Sequence, residues 1–183
     1  MEIFFEPDMS KNGNEYIIFG SPNYHRIAKF HPASKSKELL DNDGRSLAIC
    51  TRSQYKDGGF LSMKPYEIVL EGNILIVVHS RILPHYTYHF NFENNRYKAI
   101  MHWGTKVSFF QEETQVGYYL KDYLLNYKVG MKLVLNRNLN LDFFTILSLH
   151  IHSNFTAENR DGGVPSFLIT FQEKKFDGTW SPT

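Results

Sequence analysis

Asn138-Leu139-Asn140-Leu141-Asp142-Phe143-Phe144-Thr145-Ile146-Leu147-Ser148-Leu149-His150-Ile151-His152-Ser153 is the stretch whose reading decides the fold. Leu141, Phe143, Phe144, Ile146, Leu147, Leu149 and Ile151 are apolar within eleven positions. Phe143, Leu147 and Ile151 stack at i, i+4 and i+8, and Leu141 and Phe144 widen the stripe until it is apolar nearly all round. A helix of that kind must be buried on every side. Asn138 or Asn140 could cap it, and Asp142 would sit in the first turn, where a negative charge is favoured. About 12 residues would give roughly 18 Å of helix, enough to run through a small barrel. The competing reading is a buried strand. Thr145, Ile146 and Ile151 are its only β-branched residues, so a helix is preferred.

Working outward, the chain before this stretch reads as short strands. Glu2–Glu6, Tyr16–Phe19 and Tyr24–Phe30 are the first candidates, and Pro32 stops the last. Residues 33–43 are polar and read as a loop or one short helical turn. Asp41-Asn42-Asp43-Gly44 is a strong turn, because these residues tolerate positive φ. Arg45–Arg52 alternates Leu47, Ile49 and Thr51 against Ala48 and Cys50. A meander follows: Tyr66–Leu70, Ile74–His79, His85–Phe92, Tyr97–Trp103, Val107–Gln111, Val116–Leu120 and Tyr127–Leu135. Regular strands with turns between them indicate a sandwich or a barrel. Beyond the helix, Val164–Phe171 reads as one more strand and Glu173–Thr183 as a polar tail.

The 183 residues fit one domain, 1–183, with 154–183 as a C-terminal extension. Aromatic residues make up 15% of the chain, which suits pleated, half-buried surfaces. The formal charge of +1 gives no strong field for nucleic acid or an anionic membrane. Cys50 is the single cysteine and cannot close an intramolecular disulfide. No signal-like start and no apolar run of about 20 residues is present. The expectation is a soluble, cytoplasmic protein, with Asn154-Phe155-Thr156 a chance sequon.

Leu39-Leu40-Asp41-Asn42-Asp43-Gly44-Arg45-Ser46-Leu47-Ala48-Ile49 and, later, Val116-Gly117-Tyr118-Tyr119-Leu120-Lys121 precede the apolar stretch. In that order, over roughly residues 16–153, the chain resembles the tubby C-terminal-like superfamily, in particular its LURP-one-related and bacterial tubby-like branch. The resemblance implies a mostly β fold: a closed antiparallel barrel of about twelve strands around one buried, C-terminal apolar helix. It also implies a non-catalytic role as a binding or scaffold domain. The implied partner is a phospholipid or phosphoinositide headgroup, or a protein. Residues 154–183 run past the point where small members stop. Ser148, His150 and His152 make this helix more polar than the family's usual one.

Few constellations could carry chemistry. His150-Ile151-His152 would put both rings on one face of a strand, where they could share a metal. On a helix they diverge by about 200°, which spoils a joint site. The carboxylate and glycine spacings of a cupin-like site are missing. His85 and His89 would lie about 13 Å apart on a strand. Cys50, among Ile49, Thr51 and Ala48, reads as a buried inert thiol. Asp57-Gly58-Gly59 and Asp161-Gly162-Gly163 read as turns rather than phosphate cradles. Arg26/Lys29, Lys35/Lys37 and Lys174/Lys175 read as solvated basic pairs. Tyr86, Tyr88 and Tyr97, if exposed, could stack bases, but no basic residues interleave them, so no nucleic acid is expected. No catalytic, cofactor-binding or metal-ligating residue is assigned, and no cofactor is expected. Two alternatives stand beside the binding domain. One is a cupin-like or other β-barrel metalloenzyme using His150 and His152. The other is a carrier of a small apolar ligand, with the helix outside an open barrel.

Overall fold

The computed structural model describes residues 1–11, 14–20, 23–53, 65–70, 74–81, 87–102, 106–125, 128–160, 176–177 and 179–183. For 74–81, 122–125, 128–129 and 154–160 it describes the backbone alone. The fold is mostly β with one C-terminal helix, as the strand series and the apolar stretch predict. The strands are β1 (Glu2–Pro7), β2 (Glu15–Gly20), β3 (Tyr24–His31), β4 (Ser36–Leu40), β5 (Ser46–Arg52) and β6 (Tyr66–Leu70). They continue with β7 (Ile74–Arg81), β8 (Thr87–Phe92), β9 (Asn95–His102), β10 (Lys106–Gln111), β11 (Thr114–Leu125) and β12 (Lys128–Leu135). The helix α1 spans Leu141–Arg160.

Every pairing is antiparallel and joins neighbours in sequence, with one exception. β1 pairs with β2 on one side (Phe4↔Phe19) and with β12 on the other (Phe4↔Lys132), so the order of neighbours returns to its start and closes the sheet. Closure leaves no open edge to attract another strand. β1 sits tightly against β2: a Cβ at Gly20 would come within 2.6 Å of the Glu2 carbonyl oxygen.

Turn chemistry sets the registers. Glu93 and Asn94 connect β8 to β9, and both have positive φ (48° and 62°). A two-residue loop of that kind matches the right-handed twist of the strands it joins. Between β4 and β5, Asp41 Oδ1 accepts from the backbone N–H of Asp43 and of Arg45 at 2.9 and 2.8 Å, and Gly44 takes φ 80°.

Segment 33–43 departs from its expected loop or helical turn. Its middle, Ser36–Leu40, is β4, hydrogen-bonded between β3 and β5. Five mostly polar residues carry no strand signal alone. Two flanking strands supply the partners that a polar segment needs to become one.

The helix lies inside the ring of strands. Phe143, Phe144, Ile146, Leu147, Leu149 and Ile151 are all buried in one cluster with the inward residues of the strands. Phe143 stacks on Phe92 of β8 at 4.2 Å, and Phe144 meets Tyr97 of β9 and Phe109 of β10 edge-on. Thr145 touches Tyr24 of β3, His150 meets Tyr66 of β6, and His152 meets Tyr119 of β11. The helix is off-centre, with its backbone nearest β4 and β5. Leu39, Ala48 and Cys50 face it there, beside Ala28 of β3, and the short side chains of the two alanines and Cys50 permit close approach. Phe90, Phe92, Tyr97 and Phe109 fill the wider gap opposite. The alternation in β5 therefore runs with small residues inward, while Leu47, Ile49 and Thr51 face out.

Of the two candidate caps, Asn140 is the one used. Its side-chain Oδ1 accepts from the Phe143 N–H at 3.0 Å. Asp142 then holds Arg26 of β3 through two contacts, Nε to Oδ1 at 2.9 Å and Nη2 to Oδ2 at 3.3 Å. The Tyr24 hydroxyl donates to Asp142 Oδ1 at 2.7 Å. These bonds fix the helix start to the sheet. Asn140→Ala should cost about 1 kcal/mol of stability, whereas Asn138→Ala should be near neutral. Urea midpoints measure both, and equal losses would contradict the assignment.

The helix is longer than the apolar stretch suggests, at 20 residues. No glycine or proline interrupts residues 141–160, so the backbone continues beyond the buried part. The strand expected at Val164–Phe171 lies outside the described residues. The expected polar tail is anchored where it is described. Phe176 packs edge-on against His102 and Tyr118, and Trp180 Nε1 donates to the Gln115 carbonyl at 3.0 Å. No helix among the described residues is long and apolar enough to cross a membrane.

Candidate functional site

The barrel has two mouths, and the polar side chains that face inward gather there. At the mouth where the helix begins, Tyr24, Arg26, Asp142 and Thr145 satisfy one another, as described above. The mouth where the helix emerges is chemically richer.

Strand alternation builds it. In β4, Lys37 and Leu39 share the inward parity, so a lysine points into the core. Lys37 is 5% exposed. Cys50 of β5 is its register partner and is equally buried. His150 of the helix brings Nδ1 to 3.3 Å from Lys37 Nζ. The Tyr66 ring lies 3.8 Å from the His150 ring, and Tyr88 of β8 meets it edge-on. Phe30 of β3 lies under the Lys37 ammonium at 5.9 Å.

On the opposite wall His152 faces β2 and β11. Its Nδ1 lies 2.7 Å from the Tyr119 hydroxyl, and Tyr16 meets its ring edge-on. The same hydroxyl is 2.8 Å from Met131 Sδ of β12. It has one hydrogen, and imidazole nitrogen is the stronger acceptor.

The electrostatics follow from burial. Desolvation, aided by the nearby Lys37 charge, holds His150 well below its ordinary 6.5. Desolvation also lowers Lys37 from its ordinary 10.5. No carboxylate among the described residues lies within ion-pair distance of Lys37. Burial pushes the Cys50 thiol up to about 12, so it stays protonated and supplies no counter-charge.

Some expectations from the sequence hold here and others change. His150 and His152 do not converge: the first meets β4, β6 and β8, the second β2 and β11. Two positions on a helix point roughly 200° apart, so a joint site through both rings has no geometry here. Lys35 and Lys37 are not a solvated pair. Lys35 is exposed on a turn with φ 53°, and Lys37 is inside. Arg26 and Lys29 also separate, because opposite parity sends Arg26 to Asp142 and Lys29 to the outer face. Tyr88 and Tyr97 are not exposed stacking platforms. They are 2% and 6% exposed and face the core. Cys50 is buried, as its surroundings predict. His89 faces outward on β8, while His85, Tyr86, residues 57–59 and 161–163, Lys174 and Lys175 lie outside the described residues.

Lys37 is the residue that sequence reasoning misplaced. The signal was its two-residue spacing from Leu39, legible only once residues 36–40 are read as a strand. No protein-family model, curated protein or solved structure matches the chain.

Proposed function

We propose that this chain is a non-catalytic binding domain of the tubby-like kind, a closed barrel plugged by its own helix, whose ligand is a phospholipid headgroup. The observation that carries the reading is the filled interior. Phe143, Phe144, Ile146, Leu147, Leu149 and Ile151 occupy the space in which a barrel enzyme or carrier would hold its ligand. A plugged barrel offers its rims and outer face for binding instead. The order of elements, a meander followed by the buried helix, supports the tubby-like assignment. The headgroup comes from that resemblance alone.

Sedimentation with vesicles tests it. Binding should appear with phosphatidylserine or phosphoinositide in the vesicles and weaken as salt rises, because the attraction is electrostatic. Plain phosphatidylcholine should not bind. Equal behaviour on all vesicles at high protein concentration would remove the lipid reading. A specific protein captured from the native lysate would then point to the scaffold role.

A further inference from the structure

Lys37 is the most deeply buried of the described lysines and arginines. Arg26 has Asp142, Lys98 has Glu113 and Lys132 has Glu2. Lys37 is deeper than any of these, and its polar contact among the described residues is a histidine nitrogen. Placing a charge in such a site without a counter-ion among the described residues is costly, so burial lowers the lysine from its ordinary 10.5 and raises its neutral fraction. A neutral amine is a nucleophile, as desolvated lysines in apolar pockets are. One residue, Ser36, precedes Lys37 on β4, so the side chain hangs just inside the rim. Phe30, Tyr66, Tyr88 and His150 surround it with flat rings.

We propose that Lys37 is a covalent capture site for a flat, conjugated aldehyde entering at the mouth where the helix emerges. Lys37 Nζ adds to the carbonyl carbon, and the proton it sheds passes by way of His150 Nδ1 to the carbonyl oxygen. The resulting carbinolamine loses its hydroxyl as water, taking the second amine proton through the same nitrogen. A carbon–nitrogen double bond replaces the carbon–oxygen one. One water leaves for each aldehyde bound, and nothing is oxidised or reduced. The neutral imine suits a wall of aromatic rings better than an ammonium does. His150 is here a positioning and proton-handling residue, and Cys50 stays a thiol beside it. The proposal does not depend on the headgroup reading, since Lys37 sits at the rim, one residue from the start of β4, and not in the filled centre.

The test uses the full chain, cinnamaldehyde as the probe and cyanoborohydride to trap the imine at neutral pH. Peptide mass spectrometry then reads which of the thirteen lysines gains mass. Lys37 is expected to be modified ahead of the exposed Lys35, the reverse of their exposure. Lys37→Met should lose that added mass, and His150→Phe should slow it while leaving modification of Lys35 unchanged. Labelling that follows exposure, with Lys35 ahead of Lys37 in the unmodified sequence, overturns the proposal whatever the variants do. A His150→Phe variant labelled at Lys37 at the full rate overturns the role given to the imidazole.

Discussion

Phe144→Ala is expected to cost about 4 kcal/mol of unfolding free energy, the middle of the range for a buried aromatic. Phe144 is fully buried, and its ring touches Phe90, Tyr97, Phe109 and Phe143. Those four residues come from β8, β9, β10 and the helix itself. Truncation leaves a void that cannot close by local movement, because a closed sheet holds its walls apart. Both transfer and cavity penalties therefore apply in full. Ile17, 49% exposed on the outer face of β2, provides the contrast. Its replacement by alanine should change stability by no more than about 0.5 kcal/mol. Urea titration of both variants measures the difference. A near-neutral Phe144→Ala would mean that the helix is peripheral and that the plugged barrel is wrong.

The second large effect is on acid stability. His150 titrates near 6.5 when exposed and well below that when folded, through burial first and the Lys37 charge second. Between those two values the unfolded chain binds a proton that the folded chain does not. Stability therefore falls as pH drops below 6.5, by about 1.4 kcal/mol for each pH unit, until the folded-state value is reached. Lys37 acts with the same sign in a separate window. Its folded value lies below 10.5, so its contribution rises with pH up to 10.5. Asp8 and Asp177 are held low by hydrogen bonds from Ser10 and Thr179, so they act only below 3.8. The interval from 6.5 down to 5 lies clear of the lysine and aspartate windows, and within it the difference between parent and variant reads His150. Urea unfolding of the parent and of His150→Leu at steps across that interval should diverge, with the parent losing stability more steeply. Parallel curves would show that His150 takes up its proton without unfolding, against the burial described here.

Position 37 illustrates how much was legible beforehand. Lys35 and Lys37 look alike in a polar run, and composition puts both in solvent. Only the pairing of β4 with β3 and β5 assigns Lys37 the inward parity of Leu39. The same holds for Tyr88 and Tyr97. Alternation shows that they belong to one face of a strand, but either face can be the core. A shift of register by one residue exchanges the two.

The sequence by itself determined the local elements. Period-two runs between turn residues specify most of the strands, and an all-round apolar stretch after Asn138 or Asn140 favours a helix over a strand and requires burial. These are short-range properties, set by backbone geometry and by the spacing of apolar side chains. Tertiary structure decided the rest. It joined β1 to β12 across the length of the meander, turned the small residues of β3 and β5 toward the helix, and brought Arg26 to Asp142. It also set His150 beside Lys37 and His152 beside Tyr119. The physical reason is that inside and outside are not local properties. A strand has two equivalent faces until the sheet closes, and a helix has no preferred neighbour until it lies within that closure.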